Sequence, residues 1–265
     1  MRTTSVLSLL AAVSLLSGAA LFAAEGVKKE GPPQYKGFLA TQVKQVDKAP
    51  EVDGKLDDAA WKDAPVLILA CSDGSAAKAN HGTEVRMFST KEALYLGVRC
   101  RETDLASTKS GKYNRDADEV WQEDAVEFFL ALTDQDDSTY HQIVVNAGGS
   151  LYDGFNRDTE WNGANIKAAV GKEEAAWTLE LCVPFTDLKL PEDKASLAKG
   201  CRMNVYRGRP ARGDEAAEDY AWAPTGGGSN HQSNKFGYVF FEAFGAKLPP
   251  PEQPAEAKTA APAEK

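Results

Sequence analysis

The chain has 265 residues, 43% of them hydrophobic and 26% charged, with 39 acidic against 30 basic side chains and a formal charge of -9. These fractions lie near the globular average and exclude a wholly disordered chain, a collagen-like repeat and a multi-span membrane protein. The acidic balance, with no basic cluster, argues against nucleic acid as a partner, because neutralising phosphates takes concentrated Lys and Arg.

In chain order, residues 1–24 open with Met1 and Arg2, continue through an apolar run from Val6 to Leu16 and close in small residues up to Ala24. That is the pattern of a secretory signal peptide, so the expected setting is secreted, periplasmic or cell-envelope, with no membrane span in the mature chain. Residues 25–40, with Gly26, Gly31, Pro32 and Pro33 among lysines, read as a short linker. Residues 41–244 make one domain of ordinary size. Residues 245–265, with Pro249, Pro250, Pro251 and Pro254 among Ala, Glu and Lys, read as a disordered tail that buries too little apolar surface to order itself.

Within the domain, Asp57 to Asp63 around Trp61 reads as a short helical turn, and from Thr83 onward short segments alternate with a period of two. Residues 84–88 and 93–98 form a hairpin across a polar turn. Asp124 to Leu132 and Tyr140 to Ala147 form a second, around the acidic turn 133–138. Residues 165–170 and 177–183 form a third, joined by 171–174. Asp187 to Lys199 is the other briefly helical stretch. Residues 201–206, 220–223 and 236–241 supply later strands. Many short strands with almost no helix predict an all-β fold, an antiparallel β-sandwich of immunoglobulin or jelly-roll type with short helical turns.

Register then assigns faces. Val126, Phe128 and Leu130 share one side of their strand, as do Ile143 and Val145 on the partner, and carry no charge. The opposite sides present Glu127 and Phe129, then Gln142, Val144 and Asn146. Carboxylate, amides and apolar surface on one face suit a polyol, whose hydroxyls hydrogen-bond while its C–H groups pack on apolar surface. A central strand covered on both sides, with Glu127 paired to a buried Arg, fits the same pattern.

The four cysteines, Cys71, Cys100, Cys182 and Cys201, lie far apart with no CxxC pair and no neighbouring His, so no zinc motif is present. They allow up to two disulfides after export, or serve as buried free thiols. No catalytic set stands out. The three histidines, His81, His141 and His231, accompany no GxSxG serine, and the acids are too numerous for a carboxylate pair to be informative. No cofactor is expected beyond calcium, for which the acidic loops with Asp134, Asp136 and Asp137, or Asp153 and Asp158, are candidates.

Several segments in one order resemble a known family. PEVDGKLDDAAW (50–61) is similar to the opening of family-9 carbohydrate-binding modules. EALYLGVRCRE (92–102), WQEDAVEFFL (121–130), VNAGGSLYD (145–153), WTLELCVPFTDL (177–188), RMNVYR (202–207) and HQSNKFGYVFFE (231–242) follow in the family's order. The resemblance spans about 45–242. It implies a non-catalytic domain that binds an oligo- or polysaccharide in a slot between two indoles, with polar strand residues on the hydroxyls. Carried over by position, the first indole falls on Trp121, the carboxylate on Glu127 and an amide on Asn146, with Gln142 beside them. Trp61, Trp177, Pro184 and Trp222 read as framework.

Two elements of that slot are absent. The basic residue expected two positions before Asn146 is Val144, and the second indole aligns near Asn230 and His231. His231 and Trp161 are candidate substitute platforms, and Arg207 is a candidate for the missing positive charge, with an ion pair to one of the domain's acids as its alternative role. Two other functions stay open at this point. One is a structural or adhesive envelope module with a protein partner and no sugar binding. The other is a haem-binding electron-transfer domain using Met87, Met203 or His141 as ligands, as in related sandwiches.

Overall fold

Period-two alternation carries the chain into two stacked sheets. The structure, a computed structural model, describes residues 32–134 and 139–250. The larger sheet runs in the order β1 (Gln34–Tyr35), β2 (Phe38–Val43), β14 (Gly237–Phe241), β12 (Cys201–Arg209), β7 (Ala125–Ala131), β8 (His141–Asn146) and β9 (Leu151–Phe155). Beside β14, strand β13 (Glu218–Ala221) pairs the C-terminal half of β12, and β4 (Ala70–Cys71) pairs β13. The smaller sheet runs β10 (Lys167–Glu173), β11 (Ala176–Pro184), β6 (Ala93–Arg101), β5 (Thr83–Ser89) and β3 (Val66–Ile68). Strand pairing is antiparallel except between β2 and β14. This is an all-β sandwich.

The expected faces meet between the sheets. Val126, Phe128, Leu130, Ile143, Val145, Met203 and Val205 from the larger sheet pack with Val85, Met87, Leu96, Val98, Trp177, Leu179 and Leu181 from the smaller one, all buried. Burying each such side chain contributes about 1.5–3 kcal/mol, which makes this stripe the main source of cohesion. The three expected hairpins form as β5–β6, β7–β8 and β10–β11. In the third, pairing continues to Glu173 and Ala176, so the turn is shorter than 171–174.

The 50–61 motif is a latch on the smaller sheet. Glu180 Oε2 accepts the backbone N–H groups of Asp53 and Gly54, each at 2.9 Å, while Oε1 accepts Trp61 Nε1 at 2.7 Å. Trp61, on helix α1 (Ala59–Asp63), lies buried against Phe88 with ring centroids 4.5 Å apart. Gly54 has φ +87°, and a Cβ there would stand 2.7 Å from the backbone of Gly171, so only glycine lets the turn dock this closely.

The structure moves the domain's edges outward. Residues 34–40, expected in the linker, lie in β1 and β2, because Tyr35 and Phe38 have aromatic partners on β14: Tyr35 packs edge-on against Tyr238 and Phe240 at 4.9 and 5.3 Å. At the other end Ala246 is buried and Leu248 N donates to Gln42 Oε1 at 2.7 Å, so residues up to 248 dock on the sheet. Residues 1–31 and 251–265, with the expected signal peptide and most of the tail, lie outside the described residues. The stretch 187–199 holds only a 3-10 turn, Lys194–Lys199. The four cysteines are free thiols, three of them buried, and burial pushes Cys100 and Cys201 up to about 12. No helix among the described residues is long and apolar enough to cross a membrane.

One end of the sandwich is filled by charge. Arg207 and Arg209 continue the inward face of β12 beyond Val205, and with Arg212 they converge on Glu102, all four buried or nearly so. Arg209 makes two bonds to Glu102, 2.9 and 3.0 Å, Arg212 approaches it at 2.5 Å, and Arg212 also pairs with the buried Asp124. Burial alone would raise the Glu102 carboxyl, but hydrogen bonds and charge from Arg209 and Arg212 outweigh it and hold the group down to about 2, from 4.5. A depressed carboxyl stabilises the fold above its unfolded pKa, and that contribution disappears as pH falls from about 4.5 through about 2. Accordingly Glu102→Gln, which leaves Arg207 without an acidic partner and takes the shared carboxylate from Arg209 and Arg212, is expected to cost about 3 kcal/mol at neutral pH in urea unfolding, with the deficit shrinking as both proteins are acidified.

Candidate functional site

The outward face of the β7–β8 hairpin forms the floor of a hollow of about 440 Å³. Pairing of Glu127 with Val144 and of Val144 with Tyr152 sets these three side by side across β7, β8 and β9, while Gln142 sits one step along β8. On the other side Tyr206 of β12 pairs with Glu127, and Gly208 pairs with Asp219 of β13. Gly208 adds no side chain, which leaves the floor open beside Asp219.

Three elements wall this floor. Helix α2 (Glu119–Gln122), a single turn not anticipated from sequence, buries Val120 and turns Trp121 outward, where it remains 46% exposed at the rim. The loop after β13 contributes Gly228, Ser229, Asn230 and His231. Its glycines 226, 227 and 228 all have φ between +80° and +84°, a left-handed path open to glycine, which folds the loop back over the sheet. The third wall is the tight turn at the end of β9. Asn156 and Arg157, with φ +52° and +70°, close a hairpin in which Phe155 and Asp158 exchange both backbone hydrogen bonds at 3.0 Å, and Arg157 lines the hollow.

Glu127 stands at the centre of this floor. Gln142 Nε2 donates to Oε2 at 3.1 Å and Asn230 Nδ2 to Oε1 at 3.2 Å. Burial outweighs these bonds and, helped by the charge of Asp219, raises the carboxyl to about 7. His231 meets Tyr140 Oη through Nδ1 at 2.8 Å and stands edge-on to Phe129 at 5.3 Å. Burial, then the charge of Arg157, lowers it to about 4, so the ring is neutral at pH 7.

Of the residues selected from sequence, Trp121, Glu127, Gln142 and His231 line this one hollow. The other three lie elsewhere. Asn146 is fully buried: its amide donates to Gly111 O and Glu123 Oε2, both at 2.9 Å, and accepts the N–H groups of Gly148 and Ser150, so all its capacity is spent holding two loops together. Trp161 packs edge-on to His141 at 4.8 Å with its N–H on Asp187 O. Arg207 points between the sheets, bonded to His81 O, Thr83 Oγ1 and Glu102, because β12 alternation puts it on the side of Val205. The lining residues not selected from sequence are Asp118, Tyr152, Arg157, Asp219, Gly228, Ser229 and Asn230. Tyr152 alone carried a legible signal, since alternation in 151–155 sets it opposite Leu151 and Asp153.

The haem ligands fail on geometry. His141 is buried with Nδ1 on Leu130 O and Nε2 accepting Lys189 N–H, and Met87 and Met203 are packed in the core, leaving no open coordinating face. For calcium, Asp153 is held by a two-bond contact from Arg115 at 2.7 Å, and Asp158 accepts the N–H of Glu160. Asp134 lies 3.6 Å from Lys36, and Asp136 and Asp137 fall outside the described residues. Among the described residues no group of three or more His, Cys, Asp or Glu side chains is placed to hold a metal ion.

Comparison with known proteins now decides the family. The model for "Carbohydrate family 9 binding domain-like" matches residues 52–243. The chain belongs to this family. A family-9 module from Caldicellulosiruptor kristjanssonii, solved with cellotriose, is 13% identical, with 85% of this chain and all of that one covered and a TM-score of 0.53. The same organism's module solved with glucose is 13% identical, covers 76% and 94% of the two chains and has a TM-score of 0.52. A protein from Bacteroides uniformis is 16% identical over 76% of this chain and 97% of that one, with a TM-score of 0.56. At these identities the likeness is one of fold. No curated protein matches this chain.

In this family-9 domain Val144 is fully buried under Tyr152 and Val120 rather than offering a charge. The cation at the hollow is instead Arg157, delivered by a strained turn.

Two measurements follow from the site. Because Glu127 is raised in the folded state, its contribution to stability is present below about pH 4.5 and disappears as pH rises through about 7. Glu127→Gln should therefore melt progressively higher than wild type across that interval, and a difference independent of pH would contradict the assigned burial. Arg157→Gly relieves a left-handed non-glycine residue and should stabilise the fold by about 1 kcal/mol in chemical denaturation.

Proposed function

We propose that this chain is an exported, non-catalytic carbohydrate-binding domain that holds a saccharide in the hollow beside Trp121. The observation that carries the reading is the half-exposed indole, turned outward by α2 next to a polar floor. A flat indole covers the C–H face of a pyranose, while Glu127, Gln142, Asn230 and Ser229 offer acceptors and donors for its hydroxyls. Family membership and the sugar-bound relatives support the same reading. The N-terminal pattern of Arg2, apolar run and small residues supports export.

The slot has one indole instead of two. Tyr152 on the floor and His231 in the loop after β13 also line the hollow, and both are smaller rings already engaged by the protein. A shallower, one-sided platform binds more weakly and leans on directional hydrogen bonds for selectivity.

Isothermal titration with cellotriose and a glycan array test the proposal. Trp121→Ala should lower saccharide affinity about tenfold or more while leaving the melting temperature close to wild type, because the indole adds little to the core. Unchanged affinity in a folded variant would remove Trp121 as the platform.

A further inference from the structure

Among the described residues, the buried acids are matched. Glu102 faces Arg207, Arg209 and Arg212, Asp124 pairs with Arg212, and Asp153 is held by Arg115. The buried Glu180 accepts three N–H groups of the latch it anchors. At the Trp121 hollow the part-buried Glu127 has no basic partner, and two exposed carboxylates, Asp118 and Asp219, line the same hollow against the single guanidinium of Arg157.

The imbalance is concentrated on one side. Glu127 receives only two neutral amides, and among the described residues no cation pairs with it or with Asp118 or Asp219. The charge acting on Glu127 is that of Asp219, whereas Arg157 acts on His231. Asp219 reaches the floor across Gly208, where a Cβ would stand 4.0 Å from its Oδ1. Each Glu127 oxygen retains acceptor capacity after its one amide bond. A sugar hydroxyl can use that capacity but leaves the negative charge uncompensated, while a ligand ammonium neutralises it in a partly desolvated setting where the attraction is strongest. The indole beside the acids separates this arrangement from a solvated acidic surface, since it supplies a face for a ring.

We propose that the hollow selects an amino-bearing saccharide, with a protonated sugar amine seated between Glu127 and Asp219 and the pyranose ring resting on Trp121. The inference rests on the carbohydrate reading of the same hollow and narrows its ligand to cationic sugars. A uronic acid would meet repulsion from the floor, and an N-acetylated sugar would lack the charge.

The test is titration of the full chain, in buffer of low ionic strength near pH 7, where the Glu127 carboxyl is part ionised, with three trimers: glucosamine, N-acetylglucosamine and cellotriose. The glucosamine trimer should bind about fivefold or more tightly than either neutral trimer, a preference that added salt reduces. Asp219→Asn, with its fold checked by melting, should lower the ratio of glucosamine to cellotriose affinity by a similar factor. Equal or tighter binding of a neutral trimer, or an unchanged ratio in Asp219→Asn, would overturn the amine assignment while the carbohydrate reading stands. Failure of all three trimers to bind would overturn both.

Discussion

Strand β7 must serve two solvents at once, and the rest of the molecule is arranged around that demand. Val126, Phe128 and Leu130 are buried between the sheets, so strict alternation commits Ala125, Glu127, Phe129 and Ala131 to the outer face. A register slip by one residue would bury Glu127 in the core and is excluded by its desolvation cost. The outer face cannot all be left wet either. Phe129 and Ala131 are covered with Tyr140, Tyr206, Ala221 and Phe236, and the hollow begins where that cover stops, at Glu127. The site is thus the uncovered remainder of a sheet whose other half is sealed.

Two kinds of charge follow from this division. Between the sheets, Glu102 is surrounded by guanidinium groups and stays ionised far into acid. On the outer face, Glu127 has amides for neighbours and a second carboxylate nearby, and it resists ionisation. The first arrangement ties together the end of the sandwich. The second leaves a group whose electrostatic demand is unmet within the protein, and such groups gather at binding sites. The strained Asn156–Arg157 turn belongs with it: a left-handed arginine is a cost that packing does not repay and that a rim position explains.

Local alternation was legible because it is a one-dimensional signal. Residues 84–98, 124–147 and 165–183 show the hairpins that form, and the core faces of β7 and β8 follow from the same count. The short turn that presents Trp121 left no such trace. Four residues of helix have no period to read, and their direction is set by Val120 packing on Val144. Asn146 was misassigned for a related reason. Alternation gives the side of the sheet correctly, but loops 110–113 and 147–150 close over that side and consume the amide. Arg207 failed by parity: three residues beyond Asn204 along β12, it turns inward beside Val205, and only pairing across the strands reveals the Glu102 cluster waiting there.

The sequence by itself determined the sandwich and the family and named Trp121 and Glu127, one aromatic and one carboxylate of those that line the hollow, because apolar alternation and a run of motifs in one order are properties of neighbouring residues. Tertiary structure alone decided what shares the hollow with them. Asp118, Tyr152, Arg157, Asp219 and Asn230 come from a helical turn, two further strands and two loops, and are brought together by sheet order. Whether a polar side chain faces water or is consumed by a loop depends on what covers it, and covering is a relation between segments distant in the chain.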